Sequence, residues 1–447
     1  MKLTEKTPQT TQDAIIKKSI YVLFLRVFGS AIQMLTLLLI TNYAQEKLVG
    51  QYNYFNATIV LLGSLTLLGM NNSFLQFSGR FEAEGQFEKV VSLYKKKLSI
   101  LAIAFCVLLA AFLFASKILN LPYFRKPDVT LVLYKAFICL FPFSATLLNL
   151  EVIRALGLLF TSEVFRNIGR HGLFFAFVVG LIICDDIQQL LNVYIIAFIF
   201  LSIATTSIIV FKTNQISLKL EQLKVSYKDI IKVSFPMSFS LISLLIMQSF
   251  DIYVLEAYYS LGLVAYYGVA IKVSAVVGVI LTSINATIAP KIAKLFFGNE
   301  MKELKIIIKK AKMLNVGLSI PLIVLIILTA NYILSFFGQN YVLAREALYI
   351  ILGGQIINAL CGPVGLYLNM TGRQVFFQRL LLVTLAINVA MNLMLIPKHE
   401  MVGAAISTAF SFSLWNIAGL LYVLKKDKIN LSIFGFLTKL NLELRKP

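Results

Sequence analysis

The stretch SEVFRNIGRHG (162–172) sets Glu163, Arg166, Asn167 and Arg170 at i, i+3, i+4 and i+7. On a helix that spacing lines the four side chains along one face. Two guanidinium forks on such a face are donors suited to phosphate or carboxylate oxygens. The following LFFAFVVGLIIC is purely apolar, and only 14% of the chain is charged, so the stretch is either a basic loop or charge placed inside a membrane. Length decides between them. Were it a loop, the helix from Gly172 to Cys184 would be about 20 Å long, against a hydrocarbon core of about 30 Å. The helix must therefore begin near Phe160, which puts Arg170 about 14 Å inside. Gly169 and Gly172 fall roughly opposite the charges, where they would let a neighbouring helix approach closely.

Other charges also interrupt apolar runs, and a charge at mid-membrane costs about 2.5–3.5 kcal/mol to insert, so it needs a cavity or a partner. Lys272 lies ten residues into its run, about 15 Å from the nearer surface and beyond easy snorkelling. Asp251, one short connection earlier, is the natural charge partner and also a candidate carboxylate for coupling to a cation. Arg26 is shallower: it either snorkels to the surface or faces a cavity. Lys135 reads as interfacial, and Glu256 and Asp185-Asp186 read as connection residues. Uncharged Gln33, Asn56, Gln248, Asn285 and Asn388 could line a watery passage or bond between helices. Cys106, Cys139, Cys184 and Cys361 sit in apolar runs without metal-ligand spacing and read as core residues.

The elements that must hold these charges are membrane spans. The 447 residues are 59% hydrophobic with a mean hydropathy of +0.83, where soluble chains run at about 45–50% apolar. The reading is an all-α polytopic membrane protein with twelve spans: 19–43, 51–73, 98–118, 129–150, 160–184, 190–211, 234–258, 262–290, 313–336, 345–369, 379–396 and 403–424. The apolar run after the polar N-terminal residues is too long for a cleavable signal. Of 41 Lys and Arg, thirty fall on the side of the N-terminus, loop 80–97 among them; six fall opposite and five lie within spans. The positive-inside rule then puts both termini in the cytoplasm, and the +20 charge needs no nucleic acid. The connections on the opposite side are short, the longest near 117–128, so no external domain is available for a hydrolytic site.

Shifting the chain by 215 residues aligns its halves: Tyr52 falls on Tyr267, Gly63 on Gly278, Glu88 on Glu303, Leu133-Tyr134 on Leu348-Tyr349 and Gly157 on Gly372. Six spans repeated in parallel imply two six-helix lobes with a substrate site near the midplane between them. The organisation is a cytoplasmic tail at 1–18, an N-lobe at 19–212, a basic surface linker at 213–233, a C-lobe at 234–424 and a basic cytoplasmic tail at 425–447. Linker and tail read as solvated or membrane-surface helices.

LVGQYNYFNA opening the second span, LVAYYGVAIK opening the eighth, VSFPMSFS, SFDIYVLEAYYS and PKHEMVGAAISTAF (397–410) together resemble the multidrug/oligosaccharidyl-lipid/polysaccharide superfamily, in its polysaccharide-biosynthesis, O-antigen flippase-type branch. The resemblance covers essentially the whole chain. It departs at Ala265, where a Gly is expected, and at Lys398-His399-Glu400, which replace small residues. It implies a V-shaped, MATE-like bundle moving undecaprenyl-pyrophosphate-linked oligosaccharide across a bacterial inner membrane by alternating access. It carries over no catalytic residue, cofactor or metal. Protons or sodium are candidate coupling ions, and glycan polymerase machinery is a candidate partner. The residues expected to bind the anionic headgroup are Lys272, Arg170, Arg166 and Arg26, with Asp251 for ion coupling or charge pairing. A cation-coupled drug exporter on the same fold and a membrane enzyme or scaffold of the glycan pathway are the competing readings. The exporter would want acidic cavity residues, and the enzyme a large outer loop.

Overall fold

The computed structural model describes residues 8–83, 89–117, 126–215 and 225–431. Among them are α-helices joined by tight turns and no strand. The predicted 117–128 connection, most of the linker and most of the C-terminal tail lie outside the described residues.

The first half comprises α1 (Pro8–Tyr43), α2 (Glu46–Leu67), α3 (Met70–Ala83), α4 (Lys89–Lys117) and α5 (Pro127–Ala155). It continues with α6 (Leu159–Val164), a π-helical turn (Phe165–Gly169), α7 (Arg170–Ile183) and α8 (Leu190–Gln215). The second half comprises α9 (Tyr227–Tyr258), α10 (Leu261–Phe297), α11 (Met301–Leu328), α12 (Ala330–Ser335), α13 (Arg345–Cys361), α14 (Val364–Met370) and α15 (Gln374–Asp427). Nine of the described helices are long and apolar enough to cross a membrane. The eleventh and twelfth predicted spans both fall in α15, which bends at Glu400, a residue at φ +49°. The second predicted span is likewise broken, at Leu68-Gly69, into α2 and α3.

The 215-residue offset recurs in the helix boundaries. Tyr43 ends α1 and Tyr258 ends α9; Glu46 opens α2 and Leu261 opens α10. Ala155 ends α5 and Met370 ends α14; Leu159 opens α6 and Gln374 opens α15. Gly157 and Gly372 occupy the same left-handed conformation, φ +82° and +76°, as the turn after each of those pairs requires. The repeat fails where α10 runs straight through the position at which α2 breaks from α3.

Packing gives the bundle its shape. Toward the predicted outer end, buried side chains of both halves form one continuous apolar core, from Ile40, Val49 and Phe137 to Val264, Leu348 and Ala404. At the other end the core divides. One cluster surrounds Phe74, Leu93 and Leu148, and a separate one surrounds Tyr367, Phe377 and Trp415. Two lobes that share a core at one end and keep their own at the other make a V.

Basic loop 80–97 is a misreading of the sequence. Helix α4 already begins at Lys89, and Lys97 is fully buried. Its ammonium donates to the Met70 carbonyl (2.9 Å) and to Ser73 Oγ (2.7 Å), with the rings of Phe74 and Phe77 about it. Glu256 also needs correcting. It is buried in the last turn of α9 and takes Lys126 Nζ at 3.0 Å, tying the lobes at the predicted outer end.

Candidate functional site

The site is built where α2 crosses α10. Gly50 makes the crossing possible, because a Cβ there would meet the Leu261 carbonyl oxygen at 1.9 Å. About two turns beyond Leu261 on α10, Gly268 admits the amide of Asn53, which a Cβ would meet at 2.3 Å. Asn53 is thereby held between two groups of the other lobe. Its Oδ1 accepts from Lys272 Nζ at 2.9 Å, and its Nδ2 donates to the Ala265 carbonyl at 3.5 Å. The Lys272 ammonium also sits 4.6 Å above the Tyr52 ring, a cation–π contact.

On the far side of Tyr52 a small cavity of about 20 Å³ is lined by Gln33, Thr36, Asn56, Arg170 and His171 together with aromatic rings. Arg170 lies over the rings of Phe143 (5.4 Å) and Phe198 (5.6 Å). Asn56 lines this cavity and also the larger one, of about 600 Å³, into which Lys272 and Asp251 face from the C-lobe. Neither Arg170 nor Lys272 has a carboxylate partner among the described residues. Two cations from different lobes thus approach one tyrosine without counter-charge.

The other predicted cations are neutralised. The π-helical turn inserts its i→i+5 geometry between Glu163 and Arg170, so the four side chains do not stay in one stripe. Glu163, nearly fully buried, turns toward α1, where its Oε2 lies 3.7 Å from Arg26 Nε and 3.2 Å from Asn167 Nδ2. Arg166 turns toward α5 and donates to Glu151 Oε1 at 2.7 Å. Glu151 is buried and went unnoticed in the sequence, where a lone Glu near a helix end carries no signal. The structure therefore brings Arg170 and Lys272 together and sets Arg26 and Arg166 apart as ion pairs. Gly169 and Gly172 are not the close-packing residues expected: a Cβ at either meets ordinary contacts beyond 3.3 Å. Gly29 on α1 is, with the Asn167 carbonyl oxygen 2.6 Å from where its Cβ would be.

Asp251 does not pair with Lys272. The fully buried carboxylate accepts from Tyr267 (2.6 Å), Thr408 (3.1 Å) and the Ile252 amide (2.8 Å). The reason is depth. Asp251 lies seven residues before the end of α9 and Tyr267 six after the start of α10, so both sit about 10 Å from the turn, whereas Lys272 is about 17 Å from it. Of the uncharged candidates, Gln33, Asn56, Gln248 and Asn285 line the two cavities. Asn388 instead donates to Ser411 Oγ and the Ser407 carbonyl within α15.

Known proteins match this fold and sequence. A 164-residue segment is 24% identical to the probable low-salt glycan biosynthesis flippase Agl15 of Haloferax volcanii, covering 36% of this chain and 35% of that protein. The aligned part is thus about a third of the relative's length. An inward-facing multidrug resistance MATE transporter of the MOP superfamily superposes with a TM-score of 0.69 at 15% identity, covering 90% of this chain and 97% of the other. The lipid II flippase MurJ in an inward closed conformation superposes with a TM-score of 0.70 at 13% identity, covering 90% and 87%. These likenesses establish a shared fold. The MatE family model matches residues 236–394, and the polysaccharide biosynthesis protein model matches residues 15–296, well over half of the chain. The chain belongs to the polysaccharide biosynthesis protein family.

Proposed function

We propose that this protein is a flippase for a lipid-linked glycan whose lipid carries a phosphate or pyrophosphate, undecaprenyl pyrophosphate in a bacterial inner membrane. The observation that carries the reading is the pair Arg170 and Lys272, uncompensated by carboxylates and facing Tyr52 and Asn56 from the two lobes. An anionic linkage between them would supply the missing counter-charge. Arg170 offers a planar fork of donors and Lys272 a point charge. The prenyl chain would stay in lipid while the polar part crosses between the lobes, with access alternating as they rock. An inside-negative potential favours outward movement of negative charge by about 2.3 kcal/mol per charge per 100 mV, so part of the drive needs no coupling ion. The drug-exporter alternative would use Asp251, but that carboxylate is engaged by three donors and forms no ion pair among the described residues.

The test is reconstitution into liposomes with a fluorescent undecaprenyl-pyrophosphate glycan, following its appearance in the opposite leaflet. Wild type is expected to accelerate flipping, and Lys272→Ala to lose at least about tenfold of that rate, one charge-assisted contact. Flipping by Lys272→Ala at the wild-type rate would remove the cationic pair from the mechanism. Transport of cationic drugs without any glycan flipping would favour the exporter.

A further inference from the structure

The larger cavity has a second chemistry away from its charges. Among the described residues lining it, Lys272 and Asp251 carry the charge. Thirteen residues further along α10, about 20 Å away, the lining becomes neutral and polar: Asn285 of α10, Asn315 of α11, Gln355 and Asn358 of α13, and Trp415 of α15. Four helices of the C-lobe contribute to it. Several of these groups lack partners among the described residues. Asn315 is 1% exposed, and neither its Nδ2 nor its Oδ1 is hydrogen-bonded to any of them; Asn285 Oδ1 and Trp415 Nε1 are also buried and unbonded there. Leaving a buried donor or acceptor unmet costs about 1–3 kcal/mol each, so a cluster of them on a cavity wall points to something that enters and satisfies them.

Trp415 is the only tryptophan in the chain. Its ring is fixed by Phe377 at 5.6 Å and by Gly365, whose Cβ would meet it at 3.4 Å. A rigid indole face beside several amides, with no charged side chain among the described lining residues at that end, suits a ligand with apolar C–H faces and many hydroxyls. It does not suit an amine, an acid or a plain lipid.

We propose that Asn315 and Trp415, with Asn285 and Asn358 beside them, form a recognition subsite for neutral sugars in the C-lobe, separate from the Arg170–Lys272 pair. This rests on the flippase reading and deepens it. One extended ligand engages both places, its charged linkage at Lys272 and its distal sugars at the amides. Glycan selectivity then resides in α11, α13 and α15, while the cations handle what all such lipids share. At about 600 Å³ the cavity is of the size that holds a drug-sized ligand.

Native mass spectrometry of the full-length protein in detergent tests this with two probes: undecaprenyl pyrophosphate, and the same lipid carrying a neutral tetrasaccharide. Wild type should hold the glycosylated probe at least about tenfold more tightly. Asn315→Leu and Trp415→Phe should each bring that ratio close to one while leaving affinity for the bare lipid unchanged. Emission from Trp415 in the wild type should shift with the glycosylated probe and not with the bare one. Equal wild-type affinity for both probes would overturn the subsite and leave the flippase reading intact. Binding of neither probe would remove both. A variant that weakens both probes equally would mark its residue as structural, which also overturns the proposal. If Asn315→Leu does not fold, Trp415→Phe, which keeps an aromatic face and loses only the N–H donor and some volume, decides alone.

Discussion

Tyr52 receives Lys272 on its ring and shares a cavity with Arg170, so a phenol and two cations from distant parts of the chain form one unit. The two cations contribute differently. If Arg170 acts through charge, Arg170→Lys should flip glycan lipid at close to the wild-type rate while Arg170→Ala loses about tenfold or more; equal loss in both would show that the bidentate fork matters. Arg166 belongs to a different class. Breaking a buried ion pair costs about 3–5 kcal/mol because the remaining charge is stranded. Arg166 is 31% exposed while Glu151 is 7%, so Arg166→Ala should fall near the lower end of that range. The measurement is a lower thermal midpoint in detergent, relieved in Arg166→Ala/Glu151→Gln, where no charge is left behind. A lost flipping rate with an unchanged midpoint would instead put Arg166 back among the substrate contacts. The presence and depth of these charges were legible in the sequence because apolar runs make any interruption visible. Their partners were not, since partners depend on which way each helix is turned. Asp251 is the exception: counting residues from the turn already sets Tyr267, not Lys272, at its level.

At the scale of elements, the π-helical turn Phe165–Gly169 determines which charges reach the cavity. A helix from Phe160 was predictable from the membrane's thickness. An i→i+5 turn leaves no mark in hydrophobic periodicity, so an unbroken face of four side chains was expected where the structure sends Glu163, Arg166 and Arg170 three ways. Lys97 was lost for a related reason: the run Lys95-Lys96-Lys97 reads as a solvated loop, although its third member turns inward to carbonyl and hydroxyl oxygens. The turn is kept in place by α1, whose Gly29 backs directly onto Asn167. Gly29→Leu cannot be accommodated without moving α1 away from the turn. It should impair flipping and also loosen the Arg26–Glu163 contact. Amide hydrogen exchange across 159–183 would detect this as faster exchange than in the wild type. Unchanged exchange would show that α1 does not support the turn.

Across the whole molecule, the repeat preserves scaffold and not charge. Helix boundaries, the Gly157 and Gly372 turns and the Tyr52–Tyr267 pair recur 215 residues apart. Yet Lys272 corresponds to Ala57, Asp251 to Thr36 and Arg170 to Leu385. Two lobes of one design thus carry different chemistry on facing walls, as the proposed ligand, charged at one end and neutral at the other, would require. Their contacts also differ between ends. At the predicted outer end, Glu46 reaches Tyr266 and Asn340, Asn42 reaches the Phe336 carbonyl, and Lys126 reaches Glu256, all over a shared apolar core. At the other end Ser73 Oγ meets Ser234 Oγ at 2.6 Å beside Lys97, with Lys96 on the Val225 carbonyl. Gly69 allows that approach, since its Cβ would meet the Ser234 oxygen at 2.3 Å. If flipping requires the lobes to part at each end in turn, a bond across either should stop it. Ser73→Cys with Ser234→Cys should form a disulfide on oxidation, because those two side-chain atoms already touch. Oxidation should abolish flipping in the double variant, and a reductant should restore it, with the single variants unaffected throughout. Flipping that survives the bond at Ser73 and Ser234 would mean that α3 and α9 move as one body, and that the lobes part on the side of α1 and α10 instead.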